Sequence, residues 1–271
     1  MILSKFFLRT QIMTLNQKIL LVGKQALTLI KSHVLVILIL LVWQLCVQFE
    51  IIPDYLLPSP LQIVQAFIED FGLLMEHAKY TLATAIIGTT IGLIVSFVLS
   101  ICMDLSKTIR DLVYPVILLN QTIPTIAIAP LLIIWLGYGI TPKVVLVILA
   151  VFFPITIALI DGYQSVSREH LNLFKSMKAS TYQLYRHLKI PSAMGSFFTG
   201  LKVALSYALI SAVIAEWLGG YHGLGVYMTR VRKSYDLDSM FAVIFLISFL
   251  TILLIALVKW LERRVLRHNF L

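Results

Sequence analysis

The chain has 271 residues, of which 59% are hydrophobic and only 13% are charged. Soluble domains carry about 25% charged residues, so this composition excludes an ordinary soluble protein and predicts a polytopic membrane protein. The net charge of +9 does not indicate nucleic-acid binding, because the basic residues are scattered between apolar blocks and form no groove with interleaved aromatic side chains.

The apolar runs predict an all-α protein with about six transmembrane helices, since about 20 residues cross a bilayer as a helix. The expected spans are residues 33–49, 80–103, 112–136, 143–160, 197–216 and 240–260. We expect three parts in the chain: an N-terminal segment at residues 1–32, one membrane domain at 33–260, and a tail at 261–271. In the second span Gly88 and Gly92 form a small-xxx-small pair, which predicts close helix packing.

The third span has the strongest signs of a broken backbone. It contains Pro115, Pro124 and Pro130, with uncharged polar residues at its centre. Freed backbone groups are tolerated in hydrocarbon only where protein or water satisfies them, so this span is a candidate for lining a pathway; a kinked packing helix is the alternative. The candidate pathway residues of the third and fifth spans are Asn120, Gln121, Thr122, Pro124, Ser206, Tyr207 and Ser211. Lys202 and Glu216, near the ends of the fifth span, fit structural and functional roles equally well.

Residues 162–196 form a charged loop that cannot cross a bilayer, because each charge at mid-membrane would cost about 2.5 to 3.5 kcal/mol. Ser167 and Ser180 are expected to cap two short helices, and Pro191 to end the second. Two amphipathic helices of this kind suit a groove on another protein. Resting on lipid headgroups is the alternative.

The basic residues predict the orientation of the chain. With six spans, 16 Lys and Arg residues fall on the side that carries both termini, the 104–111 link and the 162–196 loop, whereas 5 fall on the other side. The positive-inside rule therefore predicts that both termini and the loop lie in the cytoplasm.

Motifs of enzymes are missing from the sequence. It has no GxxxxGK[ST] phosphate loop, no HExxH and no GxSxG, and its six histidines are dispersed. Cys46 and Cys102 lie inside apolar runs and are expected to be small core residues. We therefore predict no catalytic residue and no metal site.

The loop resembles the EAA loop of binding-protein-dependent ABC importer permeases, whose pattern is EAA, three residues, Gly, nine residues and I-x-L-P. Leu188, Lys189, Ile190 and Pro191 match its end, and Ala179 and Ser180 follow the glycine position. Asn172-Leu173-Phe174 stands where EAA would be, and Lys178 replaces the glycine. The segments PSP, NQTIPTIAIAPLLIIWLGYG, FFP, TGLKVAL and AEWLGG…GLG extend the resemblance to the nitrate, sulfonate and taurine branch, including a subgroup for thiamine-pyrimidine precursors.

This resemblance implies a type I importer permease in a bacterial inner or plasma membrane. Its expected partners are a second copy of itself, two cytoplasmic ABC ATPase subunits that hold ATP and Mg, and an external substrate-binding protein. The residues it implies for contact with the ATPase or for fixing the loop are Asn172, Phe174, Met177, Lys178, Ala179, Ser180, Leu188, Ile190 and Pro191. Those it implies for the face toward the binding protein are Gly219, Gly220, Gly223 and Gly225.

Two other classes of protein stay open at this point. A self-sufficient secondary transporter or channel would show inverted repeats and mid-membrane charges, and a membrane-embedded enzyme would need a nucleophile and base or a metal cluster at one depth. Nitrate, sulfonates, taurine and a neutral pyrimidine are all open as substrates.

Overall fold

A computed structural model describes residues 34–266 of the chain, and within that range it contains helices and no strand. The predicted segment at residues 1–32 and the last five residues of the tail lie outside the described residues. The described part of the chain divides into two compact units, a first that ends at Gln65 and a second that begins at Ala66. The all-α prediction is confirmed.

Residues 34–266 form eleven α-helices, labelled in chain order. They are α1 Val34–Gln48, α2 Pro60–Glu69, α3 Phe71–Leu105, α4 Lys107–Thr122, α5 Thr125–Leu136, α6 Thr141–Gln164, α7 Arg168–Ser176, α8 Thr181–Leu184, α9 Ile190–Leu218, α10 Leu224–Lys233 and α11 Leu237–Leu266. A π-helical turn, Tyr185–Lys189, joins α8 to α9, so that Thr181–Leu218 is one continuous rod.

Four helical segments in the described range are long and apolar enough to cross a bilayer: α3, α6, the continuous α8–α9 rod and α11. Helices α4 and α5 are long and apolar enough to cross a bilayer only when they are taken together, and the pair is bent by 103°. They make a fifth span if the pair crosses as one. The predicted first span is the apolar helix α1, whose described length is about 22 Å at 1.5 Å per residue. Among residues 34–266, length and composition thus support four or five spans, and α1 is an apolar helix whose described part is too short to count among them.

The core of the second unit is built where α3 and α9 pack on α6. A Cβ atom at Gly92 would lie 2.4 Å from Val151 Cγ2, and one at Gly88 would lie 2.6 Å from Val147 Cβ. A Cβ at Gly200 of α9 would lie 2.7 Å from the Pro154 carbonyl oxygen. Glycine at these positions lets the helix backbones approach closely, as predicted for Gly88 and Gly92.

The predicted break in the third span lies between α4 and α5. Ile123 is extended, with φ −85° and ψ 120°, and Pro124 follows it at the N-cap of α5. A residue before proline avoids the helical region, which explains the position of the break. Pro115 and Pro130 lie inside α4 and α5 without ending them. The Asn120 side chain donates to the Leu149 carbonyl oxygen at 3.0 Å, which ties the end of α4 to α6.

Candidate functional site

The loop between α6 and α9 contains the two capped helices that its sequence predicts. The prediction that Pro191 ends the second helix is wrong, because the π-helical turn Tyr185–Lys189 continues into α9, and Pro191 lies in the first turn of α9, where proline is tolerated. The Ser167 hydroxyl accepts a hydrogen bond from the His170 N–H and begins α7. Ser180 and Gln183 form a reciprocal capping box at α8, with the Ser180 N–H donating to Gln183 Oε1 at 2.8 Å. The side chains satisfy backbone N–H groups that a helix start leaves without partners, so both caps are confirmed.

Lys178 has the left-handed backbone that the glycine of the family pattern would adopt, with φ +52°. The Lys178 N–H donates to the Lys175 carbonyl at 2.9 Å, and the Ala179 N–H donates to the Phe174 carbonyl at 3.0 Å. These two bonds form a Schellman motif, in which the residue after the C-cap is usually glycine. The turn between α7 and α8 therefore exists in this chain with a lysine at its strained position.

Helix α7 buries none of its residues against the described part of the protein. Of the residues predicted to contact an ATPase, Asn172, Met177, Lys178 and Ser180 are exposed, whereas Phe174 and Ala179 are half-buried. Met177 is 69% exposed, and sequence reasoning missed two exposed apolar neighbours, Leu173 and Tyr182. The four-residue spacing of Leu173 and Met177 on α7 could have identified the first of them.

An acidic residue that sequence reasoning missed, Asp104, anchors the second half of the loop. Its Oδ2 accepts from the Tyr185 hydroxyl and from Lys189 Nζ, both at 2.5 Å, and its Oδ1 accepts from Arg110 Nη2 at 3.4 Å. The side chain of Asp104 is buried. Leu188, Ile190 and Pro191, which were predicted to fix the loop, are half-buried next to this anchor, and Ile190 packs on the core.

The contacts of Asp104 put the 104–111 link and the 162–196 loop at one end of the second unit, which we call the loop end. Lys202 and Glu262 pair there at 2.9 Å, so the last turns of α11 lie at the same end. This arrangement agrees with the prediction that link and loop share one side. The ion pair gives Lys202 a structural partner.

The predicted pathway residues fall into two groups. Asn120 is half-buried against α6 and Ser211 is buried in α9, whereas Gln121, Thr122 and Pro124 are exposed at the break. On α9, Tyr207 is exposed, and the Ser206 hydroxyl donates to the Lys202 carbonyl within its own helix. Their role in a pathway stays a prediction.

The opposite end of the second unit, which we call the glycine end, is built around Glu216. Glu216 is 2% exposed, and its carboxylate accepts from Thr81 Oγ1 at 2.9 Å and from the Gly225 N–H at 2.9 Å. The Leu224 N–H donates to Thr81 Oγ1 at 2.8 Å, and the Gly223 N–H donates to His77 Nδ1 at 3.0 Å. Three successive backbone N–H groups at the start of α10 are thus satisfied, and a carboxylate lies where the helix dipole favours one.

Two of the four glycines predicted to face a binding protein are buried at this end. A Cβ at Gly223 would lie 2.2 Å from Glu216 Cδ, and one at Gly225 would lie 2.3 Å from the Val213 carbonyl oxygen. Gly219 is half-buried and Gly220 is exposed. A protein that docks on residues 219–225 would therefore meet Gly220, Tyr221 and His222, while Gly223 and Gly225 provide the close approach of α10 to Glu216.

A tyrosine on α10 fastens this helix to the start of α3. The buried Tyr227 hydroxyl donates to an Asp70 carboxylate oxygen. Burial raises the pKa of Tyr227 to about 12, and the hydrogen bond that its hydroxyl donates to the Asp70 carboxylate acts in the same direction. Among residues 34–266, no cluster of three or more His, Cys, Asp or Glu side chains is suited to hold a metal ion.

Comparison with known families identifies the protein class. The family described as "Binding-protein-dependent transport system inner membrane component" matches residues 88–267, which contain the loop, its anchor and most of the glycine end. The chain belongs to this family. It is a transport permease subunit of an ABC transporter and a multi-pass membrane protein, as the resemblance of its loop had implied.

Two curated relatives represent the predicted branch. The permease is 39% identical over 227 residues to the formylaminopyrimidine transport permease protein ThiX of Halalkalibacterium halodurans, which covers 83% of this chain and 90% of that one. It is 28% identical over 233 residues to the taurine transport system permease protein TauC of Escherichia coli, with 83% and 85% covered. The nitrate, sulfonate and taurine branch with its thiamine-precursor subgroup is confirmed.

A solved structure supports the fold. A chain from the crystal structure of an amino acid ABC transporter with histidines matches with a TM-score of 0.62 and 16% identity, covering 74% of this permease and 97% of that chain. The type I importer permease fold is therefore confirmed.

Proposed function

We propose that the permease imports a pyrimidine derivative of the kind handled by its formylaminopyrimidine relative. The observation that carries this proposal is the identity of 39% over nine-tenths of that relative, compared with 28% for the taurine permease. Taurine, other sulfonates and nitrate are the competing substrates within the same branch.

We further infer the partners from the two ends of the second unit. The exposed apolar side chains Leu173, Met177 and Tyr182, on short helices with polar flanks, suit a groove on an ATPase subunit. The sequence has no phosphate loop of its own, so ATP and Mg are held by that subunit. A second copy of the permease, two ATPase subunits and an external binding protein complete the transporter.

The proposed orientation puts the loop end in the cytoplasm and the glycine end outside, with both termini cytoplasmic. The excess of Lys and Arg on the loop side supports it. In this arrangement residues 1–32 are a cytoplasmic segment, 33–260 the membrane domain, and 261–271 a cytoplasmic tail.

Coupling follows from the contacts of the loop. Closure of the ATPase pair would move α7 and α8, and the bonds of Tyr185 and Lys189 to Asp104 would carry this movement to the link between α3 and α4. The break at Pro124 lies at the far end of α4, where Gln121 and Thr122 are exposed. Substrate and nucleotide must interact differently with the inward-open and outward-open states, because equal affinity for both would shift nothing.

Ala179→Asp tests the proposed docking of the ATPase. Ala179 is half-buried beside the turn of α7, so a carboxylate there would disturb the contact without touching the core. In reconstituted vesicles we expect normal membrane insertion and loss of the ATP hydrolysis that the binding protein stimulates. Unchanged stimulation would argue against docking at this turn, as would ATP hydrolysis by the purified permease without an ATPase subunit.

Uptake by the complete transporter tests the substrate. Vesicles that contain permease, ATPase and cognate binding protein should accumulate labelled formylaminopyrimidine in an ATP-dependent manner and leave taurine and nitrate outside. Accumulation of taurine alone would contradict a pyrimidine substrate and would indicate that the permease imports sulfonates. Accumulation driven by an ion gradient without the ATPase would instead support a secondary transporter.

A further inference from the structure

A groove of about 500 Å³ opens at the glycine end. It lies between the stretch of α3 at residues 80–84, the first turn of α6 and the segment that precedes α10. Its walls include Tyr80, Tyr138, Lys143, Glu216, Tyr221 and His222. This volume is sufficient for a small heterocycle, and small-molecule sites of this kind combine flat apolar walls with a few polar groups.

Aromatic rings form one side of the groove. The rings of Tyr80 and His222 are stacked, with centroids 4.5 Å apart and planes 19° from parallel. Tyr138 and Tyr221 are exposed, Tyr221 at 88%. A planar ring that enters the groove can therefore stack on the outer face of this pair, and such stacking contributes about 0.5 to 1.5 kcal/mol per pair.

Lys143 is the polar group of the groove that makes no hydrogen bond within the described part of the chain. It is only 9% exposed, and among residues 34–266 the carboxylate of Glu216 acts on its ammonium group by charge alone. It lies in the first turn of α6, where the helix dipole disfavours a cation. Burial and helix position both work against this lysine, and the attraction of Glu216 offsets them only in part.

Glu216 attracts Lys143 but makes its hydrogen bonds to other groups. Its carboxylate is engaged by Thr81 and by the Gly225 N–H at the start of α10, so it has a structural role there. The backbone at Gly220 lies close to the lysine, since a Cβ at Gly220 would be 2.4 Å from Lys143 Nζ. The ammonium group therefore lies at the wall of the groove, beside Gly220.

We propose that the groove receives the solute from the external binding protein, and that it binds a planar heterocycle that carries a hydrogen-bond acceptor. The ring would stack beside Tyr80 and His222, and a ring nitrogen or carbonyl oxygen would accept from Lys143 Nζ. The proposal rests on the import of a pyrimidine derivative and adds the place where the solute first meets the permease. Taurine has no ring and would use only the lysine.

Direct binding tests the groove. The permease–ATPase complex in nanodiscs, without binding protein, is titrated with labelled formylaminopyrimidine at equilibrium. We expect saturable binding that Lys143→Met weakens at least about 10-fold, the effect of about 1.4 kcal/mol. Lys143→Arg should restore most of the affinity. Lys79→Met, which removes an exposed charge beside Tyr80 on the same end, is the matched control and should change affinity less than about 2-fold.

A second variant keeps the test decisive if Lys143→Met fails to assemble. His222 is exposed on the loop before α10, and His222→Ala should weaken binding several-fold by removing half of the aromatic pair. The groove is ruled out if the wild type shows no saturable binding or if neither variant weakens it. A shift confined to the concentration of binding protein that half-saturates ATP hydrolysis would also overturn it, and would identify a protein-docking surface.

Uptake separates this proposal from the one on which it rests. If the complete transporter accumulates the pyrimidine while Lys143→Met binds it as well as the wild type does, only the groove is wrong. If the complete transporter does not accumulate the pyrimidine, the proposed substrate itself is wrong.

Discussion

The two ends of the second unit hold an acidic side chain in different ways. At the loop end Asp104 is bound by three side chains, those of Tyr185, Lys189 and Arg110, and Lys189 and Arg110 are partly exposed. At the glycine end the Glu216 carboxylate accepts hydrogen bonds from the Thr81 hydroxyl and the Gly225 N–H, and the backbone at Gly223 packs closely against it. The loop end also exposes apolar side chains that have no cover within the described part of the chain.

This difference indicates which end is built to move. Hydrogen bonds between side chains, as at Asp104, can persist while the helices that carry those side chains move. The hydrogen bond from a backbone N–H to Glu216 lies in a tightly packed region, which allows little change of shape. We therefore expect substitutions that disturb the packing around Glu216 at the glycine end to impair folding, and substitutions of the Asp104 contacts at the loop end to impair coupling while the protein still folds.

The largest expected effect is that of Gly223→Ala. Gly223 has φ +123°, which side chains rarely adopt, and a Cβ there would collide with Glu216 Cδ. We expect a loss of about 3 kcal/mol or more, seen as poor accumulation and early thermal unfolding in detergent. Gly195→Ala in α9, where a Cβ meets nothing within 4 Å, is the control and should be as stable as the wild type or more so. Equal stability of the two variants would contradict the rigid glycine end.

Asp104→Asn should break coupling before it breaks the fold. The amide loses the charge that binds Lys189, and we expect a cost of about 2 to 3 kcal/mol. Basal ATP hydrolysis by the assembled transporter should persist, while stimulation by the binding protein falls. Asp104→Glu should recover part of the stimulation, and Asp111→Asn, at the exposed last residue of the link in α4, should retain it. Full stimulation in Asp104→Asn would remove Asp104 from the route of coupling.

Tyr227→Phe tests a contact of the glycine end through its pH dependence. Loss of the hydrogen bond to Asp70 should lower stability by about 1 to 2 kcal/mol at pH 8. The pKa of Tyr227 is about 12 in the fold, above its ordinary value of 10.0. The contribution of the neutral tyrosine is therefore complete below pH 10 and is lost as the pH rises toward 12. Thermal stability of both proteins from pH 8 to pH 11.5 should converge, and a constant gap would contradict the assignment.

Lys178→Gly should have the smallest effect. Glycine relieves the left-handed strain at φ +52° but also makes the unfolded chain more flexible, so we expect a net change below about 1 kcal/mol. Stimulated ATP hydrolysis should be retained, because the Schellman turn keeps its shape. Lys178→Val is the contrasting variant, since a β-branched residue is poorly tolerated there and should loosen the turn. Loss of stimulation in the glycine variant would show that the ammonium group itself contacts the ATPase.

Features of local sequence were predictable, and contacts over long distances were not. The caps at Ser167 and Ser180, the break before Pro124 and the close packing at Gly88 and Gly92 each have a sequence signal carried by residues a few positions apart. Asp104 meets Lys189 across 85 positions, and Glu216 meets Thr81 across 135. A single sequence carries no signal for such pairs, so Asp104 appeared only as a residue of a polar link.

The glycine cluster shows the same limit. The sequence GLG at residues 223–225 indicates only a turn, because the requirement for glycine comes from Glu216 and Val213, which approach it in space. From the sequence, Lys143 is likewise only one of the basic residues that predict the orientation of the chain. Its burial beside Glu216 without a hydrogen bond appears only when α6 and the segment before α10 are placed together.

The most direct test of the account is a crosslink from each end in the assembled transporter. A photoreactive residue at Met177, exposed on the loop, is compared with one at Tyr235, exposed after α10. We predict that position 177 crosslinks to the ATPase subunit and position 235 does not. A crosslink to the ATPase from position 235, with none from position 177, would contradict the assignment of the loop end to the ATPase.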